Sequence, residues 1–155
     1  MITIEQIAAD CAENLCREIT AKLPQYFGLP ASNEHYAIGV RSRRNLAAKI
    51  QGKHVGLLSL DFPYPQNSSI YWMAVLQDYH GQGVGQTLMN AGCSLAQKEG
   101  AHTMTIETLS PSETDENYLK TYKFYEASGF EPLFNLKPQD YVWNMVYMVK
   151  ILSPP

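Results

Sequence analysis

The sequence predicts a mixed α/β sandwich, and three observations lead there. A helical hydrophobic period runs through roughly the first 40 residues. A two-residue period follows over about 45–76. From there strand and helix patterns alternate to the C-terminus.

Each element has its own signal. Ile2 and Ile4 alternate with polar residues, which suits a short first strand. Asp10-Cys11-Ala12-Glu13 offers an acid at a helix N-cap with Glu three residues later. Cys11, Leu15, Ile19 and Leu23 then share one helical face, and Pro24 closes the helix. A second short helix is expected from near Ser32 past Tyr36 and Val40. Residues 45–51 and 54–60 read as strands joined at Gln51-Gly52-Lys53, a tight-turn signal. Phe62-Pro63-Tyr64-Pro65-Gln66-Asn67 reads as a loop, because its two prolines oppose a central strand. Residues 69–76 read as another strand. After a glycine-rich turn comes a helix with Val84, Leu88, Ala91 and Leu95 on one face, ended by Gly100. Residues 103–108 alternate as a strand. A polar stretch leads to a helix over about 115–128 that Gly129 stops, and 141–151 reads as the last strand.

Composition narrows the functional classes. A chain of 155 residues, 45% hydrophobic and 17% charged, fits one globular domain, taken here as 1–155. A net charge of −3 without a basic stripe disfavours nucleic acid as a partner. Arg41, Arg43 and Arg44 read as a solvated helix end. Cys11, Cys16 and Cys93 form no metal-ligand spacing, so no metal is expected, and they read as buried thiols in a reducing compartment. No apolar run suits a membrane span and the N-terminus does not resemble a signal peptide, so the expected location is the cytoplasm.

The sharpest motif is His80-Gly81-Gln82-Gly83-Val84-Gly85, set between a strand and a helix. Glycine lets the backbone approach a ligand closely, and the following helix points free N–H groups and its positive dipole end into the same space. That combination suits phosphates. A dinucleotide fingerprint would need glycine where Gln86 stands, and no Gly-Lys-Ser/Thr occurs as a P-loop requires. A turn with no ligand is the alternative.

His80-x-x-Gly83-x-Gly85 resembles the Q/R-x-x-G-x-G/A signature of the GNAT N-acetyltransferase superfamily. Val75-Leu76-Gln77-Asp78-Tyr79 resembles the run that leaves that family's fourth strand. Downstream, Phe124-Tyr125-Glu126-Ala127-Ser128-Gly129-Phe130 resembles its second signature, (F/L)-Y-x-x-x-G-F. The resemblance covers about 45–130. It implies a mostly antiparallel central sheet flanked by helices, with a V-shaped opening between the fourth and fifth strands. It implies acetyl-CoA as cofactor, its pyrophosphate held by the turn of His80, Gly81, Gln82, Gly83, Val84, Gly85, Gln86 and Thr87. The main chain near Ala74 and Val75 would hold the pantetheine arm. His80 departs from the usual Gln or Arg. Asn117 stands one residue from a family asparagine that contacts the cofactor arm.

Acetyl transfer to an amine sets three demands. The amine, with a pKa of about 10 as the ammonium, must lose a proton; the oxyanion needs donors; the thiolate should leave protonated. The resemblance points to Tyr125 as the acid, whereas the residues alone also fit a core aromatic beside Tyr118 and Tyr122. Glu107 is the candidate base: the alternation Thr103, Thr105, Glu107 sets it opposite Met104 and Ile106, at the end of a strand where open sheets place ligands. A solvated strand-end acid is the alternative, and Asp61 and His54 are further candidates. The acceptor is expected among Tyr26, Phe27, Asp61, Tyr64 and the acids Glu113, Asp115 and Glu116, which suit a cationic amine, small or peptidic. A non-catalytic acyl-CoA-binding or regulatory module and a homodimer stay open.

Overall fold

The computed structural model describes residues 1–152. Seven strands and four α-helices follow the chain: β1 (Ile2–Gln6), α1 (Ala9–Lys22), α2 (Pro30–Gly39), β2 (Arg44–Ile50), β3 (Lys53–Tyr64), β4 (Asn67–Val75), α3 (Val84–Lys98), β5 (Thr103–Leu109), α4 (Glu116–Ala127), β6 (Glu131–Leu136) and β7 (Met145–Ile151). The strands pair in the order β1-β2-β3-β4-β5-β7-β6. β5 runs parallel to β4, and β1–β2, β2–β3, β5–β7 and β6–β7 are antiparallel. The parallel ladder is short, from Asn67↔Thr103 to Ser69↔Thr105. This is the mixed, mostly antiparallel sheet with helices that the motif resemblance implies.

The chain forms two compact units, residues 1–61 with 70–95, and residues 62–69 with 96–155. In the first, α1 buries Ala12, Leu15, Cys16 and Ile19, with Leu23 beyond its end. That stripe lies to one side of the expected one, because steps of four residues drift around a helix of 3.6 residues per turn. Cys11 consequently sits on the half-exposed shoulder rather than in the core. The helix starts at Ala9 with no side-chain cap, so Asp10 is inside the first turn, not at the N-cap. α3 buries Val84, Leu88, Met89 and Leu95. It also buries Gly92, where an added Cβ would stand 2.4 Å from the fully buried Leu58 Cδ2.

In the second unit β5 alternates cleanly, burying Met104, Ile106 and Thr108. Asp115 caps α4 by accepting from the Tyr118 N–H at 3.0 Å. Gly129 follows with φ +97° and lets the Phe130 N–H close on Tyr125 O at 3.0 Å.

Further expectations fail among the strands. Phe62, Pro63 and Tyr64 belong to β3 rather than to a loop. The β2 ladder ends at Arg44↔Leu60, so the missing Pro63 N–H costs no bond on that side. The segment 131–136, not expected as a strand, is edge strand β6, and β7 begins at Met145 rather than at 141. β6 is almost wholly exposed, so it carries no alternating pattern to read.

Candidate functional site

The glycine turn lies in the first unit. Strand β4 ends at Ala74 and Val75, a single 3-10 turn spans Gln77–Tyr79, and α3 begins at Val84. Gly81 and Gly83 hold φ of +76° and +81°, values that L side chains rarely adopt. A Cβ built on either would meet nothing within 4 Å. Glycine is therefore demanded here by backbone conformation, and the space in front of the turn is open. Thr87 N–H and Thr87 Oγ1 both donate to Gly83 O, at 3.0 and 2.8 Å. By helix geometry the N–H groups of Val84 and Gly85 then have no intrahelical acceptor and point out of the helix start. The residues present fit a pyrophosphate: a main-chain donor nest with no side chain over it.

His80 and Gln82 brace this turn. His80 Nε2 donates to Val75 O at 2.6 Å, which assigns that ring nitrogen its proton. Gln82 Nε2 donates to Asp78 O at 3.1 Å. The His80 ring thus ties the turn to the end of β4.

Glu107 and Tyr125 lie in the second unit. Glu107 faces away from buried Met104, Ile106 and Thr108, as the alternation requires, and is half-buried. Burial raises its carboxyl above the usual carboxylate range. It pairs across the ladder with Tyr147 of β7, whose phenol is raised by burial and then by the Glu107 charge. Tyr147 is a site neighbour that the sequence did not single out, since cross-strand partners follow from register. Tyr125 is buried, with ring centroids 5.6 Å from both Phe124 and Phe130 in edge-on contacts. Burial raises its phenol further, then Tyr118 adds to it, so Tyr125 keeps its proton across the ordinary pH range. Asn117 sits in the first turn of α4, its carbonyl accepting from Thr121 Oγ1 at 3.4 Å.

Of the acceptor candidates, Tyr26, Phe27 and Asp61 belong to the first unit and Tyr64, Glu113, Asp115 and Glu116 to the second. Phe27 packs on Tyr26 at 6.3 Å and on Trp72 at 5.2 Å. The Trp72 indole N–H is buried without a hydrogen-bond partner. Asp61 pairs with Arg43 at 3.4 Å, and the Arg43 guanidinium stacks 3.7 Å over Tyr71. Tyr64 is 72% exposed, at a groove with Pro63, Pro65 and Glu99 in the second unit. Glu113 is tied to Asn144 Nδ2 at 2.8 Å, and Asp115 is spent on capping α4. Glu113 and Asp115 thus have polar partners within the second unit. The basic cluster does follow the end of α2, but its charges have partners: Arg41, exposed, bonds both Asp10 and Glu13, and Arg43 is half-buried. His54 is engaged with Glu5 and Cys11. Among the described residues no helix is long and apolar enough to cross a membrane.

Known proteins supply the wider context. By sequence, no curated protein matches the chain. Among solved structures, a Desulfovibrio desulfuricans protein assigned to the GNAT family superposes with a TM-score of 0.84 at 16% identity, covering 99% of this chain and 100% of that one. A ribosomal-protein alanine N-acetyltransferase of Escherichia coli gives 0.79 at 18% identity, with 100% and 96% covered. An aminoglycoside 6′-N-acetyltransferase complexed with coenzyme A gives 0.76 at 16% identity, with 99% and 98% covered. At these identities the likeness speaks for the fold. The acetyltransferase (GNAT) family, in contrast, matches the sequence itself over residues 6–130, through the glycine turn and through Phe130. The chain belongs to the acetyltransferase (GNAT) family.

Proposed function

We propose that the protein transfers an acetyl group from acetyl-CoA to a primary amine, small or peptidic, by direct attack. The observation that carries this reading is the turn at Gly81 and Gly83: two left-handed glycines, open space in front of them, and the start of α3 behind. Family membership supports reading such a turn as a cofactor site, and the family match runs through both compact units, which supports one catalytic domain. In this reading the N–H groups of Gly83, Val84 and Gly85 hold the pyrophosphate. The main chain at Ala74 and Val75 holds the pantetheine arm, with Asn117 a further contact. Bound acetyl-CoA would supply the activated thioester.

Glu107 takes a proton from the ammonium of the acceptor. Its burial suits the task, because a carboxyl raised toward neutrality is a better base at pH 7 than an ordinary surface carboxylate. Tyr125 donates its Oη proton to the sulfur that leaves, and a phenol kept protonated by burial is ready for that step. Tyr26, Phe27, Asp61 and Tyr64 would border the acceptor.

The test is release of free thiol from acetyl-CoA across a panel of amines: polyamines, aminoglycosides, amino-acid esters and peptides with free N-termini. Amine-dependent release that Glu107→Gln and Tyr125→Phe both reduce supports the reading. Tight coenzyme A binding with no release on any amine would instead favour a non-catalytic acyl-CoA-binding module.

A further inference from the structure

A second chemical centre lies in the first unit, on residues the acetyl-transfer reading does not use. Cys11 Sγ stands 3.9 Å from His54 Nδ1, and His54 Nε2 stands 2.7 Å from Glu5 Oε1. Three separate elements supply them: the first turn of α1, the start of β3, and edge strand β1. A β-bulge sits at this point of the β2–β3 ladder, where Ala48 pairs Gly56 and Lys49 pairs His54, leaving Val55 as the extra residue. Bulges re-aim side chains at a sheet's rim, and this one lies where His54 meets α1.

The order of contacts defines a proton path. A carboxylate only accepts, so the His54–Glu5 bond places a proton on Nε2. In the neutral ring Nδ1 is then the bare nitrogen, and it faces the Cys11 thiol. Nucleophile, base and orienting acid stand in the sequence that activated nucleophiles require. Glu5 is held as a carboxylate, its carboxyl lowered first by the His54 hydrogen bond and then by Lys49. The centre is reachable. Cys11 is half-exposed, the His54 side chain is 24% exposed, and a groove of about 520 Å³ is lined by Cys11, Asn14, Leu15, Glu18, Lys53 and His54. Cys16, on the same helix, differs in kind: it is fully buried, and burial pushes its thiol up to about 12.

We propose that Cys11 is a nucleophilic thiol, served by His54 and Glu5, that forms mixed disulfides with low-molecular-weight disulfides entering this groove. Cys11 passes its proton to His54 Nδ1, and the thiolate attacks one sulfur of the disulfide. The old S–S bond breaks as the new one forms. The departing thiolate takes the proton back from His54 Nδ1 and leaves as a thiol. One thiol and one disulfide enter, and one of each leaves, with no other oxidant. Disulfide exchange, unlike acyl transfer, needs no oxyanion hole, only a thiolate and access. Charges facing the groove and its relay are mixed: Glu18 from α1, Lys53 from β3, Lys49 from β2 and Glu5 from β1.

The experiment treats the whole protein with glutathione disulfide and follows each cysteine by peptide mass spectrometry. Cys93, half-exposed on α3, is the internal control. Cys11 is expected to gain the glutathione mass on the order of tenfold faster than Cys93 or more, and His54→Asn to remove most of that advantage. Glu5→Gln is expected to slow Cys11 several-fold by releasing the ring, while the Cys93 rate holds. Equal rates at Cys11 and Cys93 in the unmodified protein would overturn the proposal. So would an unchanged Cys11 rate in folded His54→Asn. Should that variant fail to fold, an unchanged rate in Glu5→Gln is equally decisive, because Glu5 is a surface residue of an edge strand. None of these outcomes depends on acetyl transfer.

Discussion

Gly83→Val, compared with Gly52→Val, separates what glycine does for the backbone from what it does for a ligand. Both glycines hold nearly the same dihedral, φ +81° and +80°, and neither has an atom within 4 Å of an added Cβ. Gly52 lies in the β2–β3 hairpin, outside the proposed coenzyme A site. Each substitution forces a β-branched residue into the left-handed region, at about 1–3 kcal/mol. For a domain of this size that lowers the melting temperature by about 2–12 °C. The two apoproteins should therefore be destabilised to a similar degree. Their responses to coenzyme A should differ. At a ligand concentration of about 100 Kd, binding adds about 2.7 kcal/mol, or about 5–11 °C. Gly52→Val should keep that shift and Gly83→Val should lose it, because only there does the new side chain fill the front of the α3 N-terminus. Differential scanning fluorimetry with and without coenzyme A reads both quantities. Equal shifts in two folded variants would refute the assignment of the turn.

The other predictions are narrower. Tyr125→Phe should lower single-turnover rates by about 10²–10⁴-fold with little change in coenzyme A affinity, since packing against Phe124 and Phe130 survives; a loss no larger than that of Tyr122→Phe would leave Tyr125 as core. Glu107→Gln should reduce turnover chiefly at neutral and low pH, because at high pH the amine is already neutral; a pH-independent loss would indicate a structural role. The same variant should be more stable than the parent at pH 7. Burial raises the folded-state pKa of Glu107, so its ionisation disfavours folding as pH rises through and above the ordinary carboxylate value of 4.5. The gain should vanish below about pH 4, where both states hold the proton, and equal melting differences at pH 4 and pH 7 would contradict the burial argument. Gly92→Val should cost about 1–3 kcal/mol by driving a methyl group into Leu58, seen as a lowered urea midpoint with coenzyme A binding intact.

Local physics made much of this protein legible before any coordinates. The pieces written by local rules came through: the tight turn at Gln51-Gly52, the helix beginning near 115, the glycine stops at 100 and 129, and the alternation of β5 that turns Glu107 outward. Turns, caps and strand periodicity depend on residues a few positions apart, so the chain itself carries them. The glycine turn was legible for the same reason, and the structure added that Gly81 and Gly83 are required by their dihedrals.

Other features depended on partners far along the chain. Pro63 could enter β3 only because the β2 ladder stops at Leu60, and β6 exists because β7 offers it an edge despite its exposed residues. Tyr147 became the neighbour of Glu107 through register. Asp61, Glu113 and the arginines at 41 and 43 looked like solvated or ligand-facing charges until folding brought them partners. Cys11 illustrates the limit best. Its sequence neighbours made it one more core thiol. Rotation of α1 by part of a turn, and a bulge beside His54, 43 residues on, set it against a histidine and a glutamate from two other strands. Contacts between residues distant in sequence leave no periodic trace in it, so only the tertiary structure could decide them.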